Sequence, residues 1–418
     1  MGMSKKWILA TTLIGMPLLA AGCAGDDEAE GTGEEREVDL SFMHWRGEDQ
    51  AVFDVLIDQF ESENPDINVE QNVYPSDQYM ATAQRMLQEG STGDVFATFP
   101  GAQFEALESA GFFEDLSDEE FVANFDEGAI EVGQADGRQL ALPYQLVFNM
   151  PVYNTEIFEE LGLEVPQSWD EFIAMGETLK ENDIIPIAFP GADIGPNQFM
   201  NSMVMNNAPD GAFTDLVAGE AALTDDWWIQ TLEQFQYLQE NDFFQEDALG
   251  TNQDAAMALV ANGEAAMLAT GSYHMASLLE LNPDLQLDLL APITVSEEEA
   301  RYEGIHTATF MLAINSNSEN KEAAAEFIEF LSQPEVASQY ANETGQHLTV
   351  TGVEYESEAL QNTSYWIDER ETRFQPRYMI TNAQVEDAVL SSIENVIGGA
   401  APEEAAAEAQ QVVEEVTE

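Results

Sequence analysis

The sequence predicts an α/β protein built as two lobes, and three observations carry that prediction. Strand-like and helix-like apolar patterns alternate from Val38 to the C-terminal tail, as in a largely parallel sheet flanked by helices. About 380 residues follow the leader and the tether, more than one hydrophobic core usually serves. Cys23 is the only cysteine, so no internal disulfide and no cysteine-based metal site or nucleophile is available. Packed cores must then supply the stability.

Residues 1–23 read as a targeting segment and stand outside the fold. Lys5 and Lys6 precede an apolar stretch from Trp7 to Leu19 that is shorter than the ~20 residues a membrane span needs. Leu19-Ala20-Ala21-Gly22-Cys23 resembles a bacterial lipobox, in which the Cys23 thiol carries lipid. The alternative is an ordinary secretory signal that contains a cysteine. Residues 24–37, rich in Gly, Asp and Glu, read as an acidic flexible tether.

Val38 to Phe42 alternates apolar and polar, as a half-buried strand does. Phe53, Leu56, Ile57 and Phe60 follow at helical spacing, and Asn64-Pro65 stops the helix. Ile67, Val69, Gln71 and Val73 share one side of a second strand. Tyr79, Ala83, Met86 and Leu87 mark a helix ended by Gly90, and Asp94 to Phe99 is a short buried strand. Ser168 and Glu171 form a capping box that opens a helix from Trp169 to Glu181. Ile184–Phe189 and Ala265–Ala269 read as strands. Trp228, Leu232, Phe235 and Leu238 stripe a helix, Met257 and Val260 face inward on another ended by Gly263, and one begins near Lys321. Pro402 to Glu418 is an Ala/Glu helix of high propensity.

The chain carries 12 basic and 80 acidic residues, a formal charge of −68 that becomes −70 once Lys5 and Lys6 are removed with the leader. Such a field repels nucleic acid, anionic lipid and anionic solutes. It suits salty or alkaline surroundings, because at 1 M salt the screening length falls to roughly 3 Å. A role in binding cations is the alternative.

Several stretches, in order, resemble the family 1 extracellular solute-binding proteins, the carbohydrate-binding group that contains maltose-binding protein. They are Phe60 to Val69, Gly90 to Val95, Leu142-Pro143-Tyr144 with Val152 to Phe158, Leu161-Gly162-Leu163 with Pro166 to Phe172, Asn262 to Met267 with Gly271-Ser272-Tyr273, and Ala323 to Leu331. Gly398 to Ala405 resembles the family's ending, with Ala401 where Thr is usual. The resemblance implies a two-lobed periplasmic-binding-protein-like type II fold, with a cleft between the lobes and hinge crossovers. By analogy lobe one takes 38–146 plus 304–350, and lobe two takes 147–303 plus 351–418. It also implies a monomer that binds an extracellular sugar, mono- or oligosaccharide, and delivers it to an ABC import permease, with no cofactor, no metal and no nucleic acid.

A sugar fits such a cleft because its C–H faces lie flat on aromatic rings while its hydroxyls take hydrogen bonds at the edge. Trp45, Arg46 and Glu48 follow the first strand, where the family places cleft residues. A Trp among polar neighbours is a poor core residue, whereas the charged pair also suits a surface ion pair. Tyr273, with His274 beside it, stands where the family has a stacking aromatic. Gln103 follows the strand from Asp94; Gln145 and Asn149 lie at the first crossover, where Val147 replaces a carboxylate of maltose-binding protein; Asp193 and Gln198 follow strand 184–189. His306 near the return to lobe one and Trp366 in a late polar stretch complete the expected ligand contacts. Tyr144, Trp227, Trp228, Phe112 and Phe113 read as packing.

Three other readings are open to the sequence. A cationic solute such as a polyamine or peptide is permitted by the acidic balance, but Arg46 argues against it. A secreted carbohydrate-active enzyme would use two carboxylates, which 80 acids place everywhere by chance, and no Gly-x-Ser-x-Gly, His-Glu-x-x-His or P-loop pattern is present. The four histidines 44, 274, 306 and 347 are too scattered to suggest a metal site. An adhesive lipoprotein without ligand is the third. The charge itself makes a prediction: raising NaCl from ~0.1 to ~1 M, which shortens the screening length from about 10 to about 3 Å, raises the melting temperature by several degrees. A calorimetric melting temperature that is flat or falls with salt refutes the adaptation.

Overall fold

The computed structural model describes residues 38–89 and 92–417. The leader with Cys23, the tether 24–37, Gly90, Ser91 and Glu418 lie outside the described residues. In chain order the strands are β1 (Val38–His44), β2 (Ile67–Val73), β3 (Val95–Thr98), β4 (Gln134–Ala135), β5 (Arg138–Gln139), β6 (Leu142–Phe148) and β7 (Val152–Asn154). They continue as β8 (Ile185–Ala188), β9 (Ala265–Leu268), β10 (Leu287–Leu289), β11 (Gly304–Ile314), β12 (His347–Leu348) and β13 (Thr372–Phe374).

Two sheets, one per lobe, organise the chain. The first runs β12-β6-β11-β3-β1-β2, with β13 added against β11, and the second runs β10-β7-β9-β8. β1, β2 and β3 are mutually parallel, as the βαβαβ alternation requires, whereas β11 enters antiparallel between β3 and β6. Each sheet has its own core. Phe42, Phe53, Phe60 and Phe327 pack beneath the first, and Phe172, Phe199, Trp228 and Phe235 beneath the second.

The helices follow their apolar stripes. Gln50–Glu63 buries Phe53, Leu56, Ile57 and Phe60, and stops at Asn64, whose side-chain amide donates to the Phe60 carbonyl at 3.0 Å. Helix Trp169–Glu181 opens with the Ser168 hydroxyl accepting from Glu171 N at 3.3 Å. Glu171 accepts from Gln167 N at 2.8 Å, so the box closes one residue before the cap. The tail helix Pro402–Thr417 seats Ala405, Ala409 and Val413 against helices Ala383–Ile397 and Asp226–Glu240.

The chain changes sheet at 149–151 and between β10 and β11, and after β13 it continues as helices. β13 lies in the segment expected to belong wholly to lobe two, yet it pairs with β11 through Gly304↔Thr372, Ile305↔Arg373 and His306↔Phe374. The reason is an open edge. β3 covers β11 only from Met311 to Ile314, and the backbone groups near Gly304 need another partner. These crossing segments approach closely: a Cβ on Gly304 would sit 2.7 Å from the Trp366 ring and 2.8 Å from Met150 Sδ.

Trp228 is fully buried and donates through Nε1 to Ser392 Oγ at 3.2 Å, tying two helices of the second lobe together. Trp228→Ala should lower unfolding free energy by about 3–5 kcal/mol. Urea denaturation measures it, and a loss below ~1 kcal/mol would contradict the core placement.

Candidate ligand-binding cleft

A cavity of about 800 Å³ is lined by residues from both lobes at the ends of β1, β3, β8 and β9 and along β6 and β11. This is where ligands sit in open α/β sheets, beyond the carboxyl ends of the strands.

One wall begins where β1 ends. Trp45 is half-buried and stacks on Phe99, with ring centroids 3.7 Å apart and planes 21° apart. Phe310 meets it edge-on at 5.1 Å, with a backbone φ of +49° that phenylalanine rarely adopts inside a strand. The stacked pair is one rigid aromatic platform, and both residues line the cavity. Sequence reasoning absorbed Phe99 into the buried strand; its position directly before Pro100-Gly101, at a strand end, is the signal that could have found it.

Beside this platform Arg46 is buried. Its Nε donates to Asp49 Oδ2 at 2.7 Å, Nη2 to Asp49 Oδ1 at 3.2 Å, and Nη1 lies 3.0 Å from Oε1 of exposed Glu48. Burial alone lowers the basicity of the guanidinium, but Asp49 and Glu48 outweigh it and hold Arg46 above its ordinary range. Gln103, on the helix Ala102–Ser109, completes this side.

β6 and β11 form the floor. Gln145 pairs with Thr309 and Val147 with Thr307, so period-two alternation turns Gln145, Val147, Asn149, Thr307 and Thr309 toward the cavity. The same alternation removes His306. It sits opposite Phe148, faces the other side of the sheet, and bonds through Nδ1 to Thr372 Oγ1 at 2.9 Å. His306 is therefore not among the cleft residues, contrary to expectation. Gln145 and Asn149 face the cavity but are already engaged: Gln145 donates to Tyr340 Oη at 2.7 Å and Asn149 to Gln375 Oε1 at 2.5 Å.

The second lobe supplies the opposite wall. Tyr273 and His274 follow β9 with ring centroids 4.5 Å apart, and both line the cavity. Gly271 makes room for them, since a Cβ there would lie 2.5 Å from Tyr273 Cε1. Asp193 and Gln198 are also present, joined by Asn197, Gln253, Arg377, Tyr378 and Glu386, which sequence reasoning missed. Asp193 is exposed and accepts from Gln253 N at 2.6 Å. Trp366 is a second correction: it is buried, packs near Phe148 with centroids 6.3 Å apart and lies over Gly304, so it holds the crossover rather than the ligand.

Two properties define the cleft chemically. Gln103 Oε1, Asn197 Oδ1, Gln198 Oε1 and both amide atoms of Gln253 are buried without a hydrogen-bond partner in the protein. Native interiors rarely leave such groups unmade. The charges, in contrast, are all satisfied. Arg46 is held by Asp49 and Glu48, Arg377 by Glu386, and Asp193 by a backbone N–H. Every lysine and arginine among the described residues lies within 4.0 Å of a carboxylate. Among the described residues no group of three or more His, Asp or Glu is placed to hold a metal, and no helix is long and apolar enough to cross a membrane.

Two lobes with a polar, aromatic-walled cleft between them define a solute-binding protein. The profile of the bacterial extracellular solute-binding proteins matches residues 45–338, and the chain belongs to that family. It is 21% identical to the multiple sugar-binding protein of Streptococcus mutans, over 83% of this chain and 84% of that one. It is 22% identical to the melibiose/raffinose/stachyose-binding protein MelE of Bacillus subtilis, over 91% and 89%. Its fold matches a chitin oligosaccharide binding protein (TM-score 0.80, 19% identity, 90% of this chain and 99% of that one). It also matches RafE in complex with raffinose (TM-score 0.77, 19% identity, 91% and 100%). The family is extracellular, so the protein works outside the cytoplasm.

The imidazoles near the cleft are held neutral. Burial lowers His274 to about 3 and His44 to about 4. His44 Nδ1 accepts from Arg46 N at 3.1 Å, and Nε2 lies 2.8 Å from Gln71 Oε1, which together define the Nε2–H form. The unfolded chain protonates near pH 6.5 and the folded one only near pH 4, so the unfolded state binds more protons between them. Stability from His44 is thus complete above pH 6.5 and is lost as pH falls toward 4. Relative to His44→Gln, which does not titrate, wild-type stability should decline over that window in urea titrations at several pH values. A constant difference would contradict a neutral buried His44.

Proposed function

We propose that this protein captures a neutral, hydroxyl-rich solute, an oligosaccharide, in the cleft and delivers it to an ABC import permease. The carrying observation is the combination at one site: the Trp45–Phe99 platform, unpartnered amides on both lobes, and no unpaired charge. A sugar ring stacks its C–H face on the platform, and its hydroxyls satisfy Gln103, Asn197, Gln198 and Gln253. The volume lies in the upper part of the ~300–1,000 Å³ range of pockets that bury drug-sized ligands, which favours more than one ring. The relatives, named as binders of melibiose, raffinose, stachyose and chitin oligosaccharides, support the same class.

Lobe one (38–146 plus 304–350) and lobe two (147–303 plus 351–418) close on the solute about the crossing segments, with β13 bracing the hinge from the first sheet. Closure requires the solute to bind the closed form better, and contacts from both lobes provide that difference. Lipid on Cys23 holds the protein at the outer face of the membrane, and the acidic tether lets a monomer reach the permease. A polyamine is disfavoured, because the cleft carboxylates Glu48, Glu386 and Asp193 already have partners within the protein.

A thermal-shift screen of mono-, di- and oligosaccharides, with polyamines as the counter-set, tests the reading. Neutral oligosaccharides should raise the melting temperature and change tryptophan emission, and Trp45→Ala should weaken binding at least tenfold, about 1.4 kcal/mol. Stabilisation by polyamines alone would overturn it.

A further inference from the structure

Asp49 stands at the N-cap of helix Gln50–Glu63, where an aspartate ordinarily accepts the helix's first free N–H groups. It makes no such side-chain bond. Its carboxylate is turned instead to Arg46 and is almost fully buried. Behind it Tyr340 Oη donates to Oδ2 at 2.6 Å, and Gln145 Nε2 donates to Tyr340 Oη at 2.7 Å and lies 3.4 Å from the same Oδ2. Tyr340 comes from helix Pro334–Thr344 and Gln145 from β6, so three distant segments fix one carboxylate.

The donor arithmetic shows what this arrangement leaves free. A guanidinium has five N–H groups. Asp49 takes Nε–H and one on Nη2, while Glu48 Oε1 lies 3.0 Å from Nη1 as an ion-pair contact without a hydrogen bond. One N–H remains on Nη2 and two on Nη1, so the end-on pair, one from each terminal nitrogen, forms a planar fork on a side chain that lines the cavity beside Trp45.

We propose that Asp49, with Tyr340 and Gln145 behind it, is a positioning residue that holds the Arg46 guanidinium so that its free end-on pair of N–H groups, one on each terminal nitrogen, reads a pair of adjacent hydroxyls on a ring stacked at Trp45. The hydroxyl half rests on the reading of the cleft as a sugar site; the positioning half does not. Glu48, exposed and at the mouth of the fork, accepts from a neighbouring hydroxyl.

Asp49→Asn keeps the shape and removes the charge, and two measurements on the full chain test it. In the ligand-free protein, 15N–1H spectra of the arginine side chains should show slowly rotating, solvent-protected Arg46 guanidinium signals that are lost in Asp49→Asn. In titrations with raffinose and stachyose, Asp49→Asn should weaken affinity about 10- to 100-fold in the parent, yet less than about twofold in an Arg46→Gln background, because it acts through Arg46. Tyr340→Phe keeps the ring packing and removes only the hydroxyl; it serves the same test at smaller amplitude should Asp49→Asn fail to fold. Equal losses in both backgrounds, or unchanged guanidinium signals, overturn the proposal. A wild-type protein that binds neither sugar overturns the hydroxyl-reading half, and the guanidinium signals still decide the positioning half.

Discussion

The ion pair of Arg46 with Asp49 is the contact on which the ligand-facing side of the first lobe depends. A guanidinium this deeply buried cannot stand without its carboxylate: removing one partner of a buried pair typically costs about 3–5 kcal/mol, because a bare charge is left behind. The pair therefore fixes where the chain goes after β1. It sets Trp45 against Phe99 on one side, ties helix Pro334–Thr344 through Tyr340 on another, and reaches the crossover strand β6 through Gln145. Platform, donor and hinge strand thus share one electrostatic anchor.

A second constraint is the contrast between the surface and the cleft. The chain as a whole is strongly acidic, yet the cavity brings together two of its few arginines and leaves no carboxylate without a partner. Surface carboxylates interact through water and are screened within about a Debye length. Inside the cleft screening is weaker, and an unpaired acid there would select cations. The chain separates the two environments: its excess acidic charge lies outside the cavity, and amides and aromatic rings line the inside.

The crossing strands explain how one cavity is assembled from two lobes. β6 and β11 pair along the floor, and alternation sends Gln145, Asn149, Thr307 and Thr309 to the cavity side while Tyr144, Phe148 and His306 take the other. A shift of one residue in that register would exchange the two sets. Gly304, Met150 and Trp366 pack tightly where the strands leave the first sheet, and β13 closes the remaining edge. The floor is consequently stiff even though the walls belong to different lobes.

The alternation of strands and helices, the apolar stripes and the caps at Asn64 and Ser168 were legible in the sequence, because each is a local pattern of side-chain spacing and backbone hydrogen bonding. So was the approximate place of Trp45, Arg46, Gln145, Gln198 and Tyr273, since each lies just past a strand end or at a crossover. The direction of His306 was not legible, because its pairing with Phe148, between strands far apart in the chain, decides it. The role of Asp49 was equally hidden: locally it is a helix cap, and only Tyr340 and Gln145, brought in from elsewhere, turn it toward Arg46. The sequence by itself determined which elements form and which face of each is apolar. Tertiary structure alone decided which polar side chains meet across the cleft and which remain unpaired, because burial and long-range pairing are properties of the assembled chain.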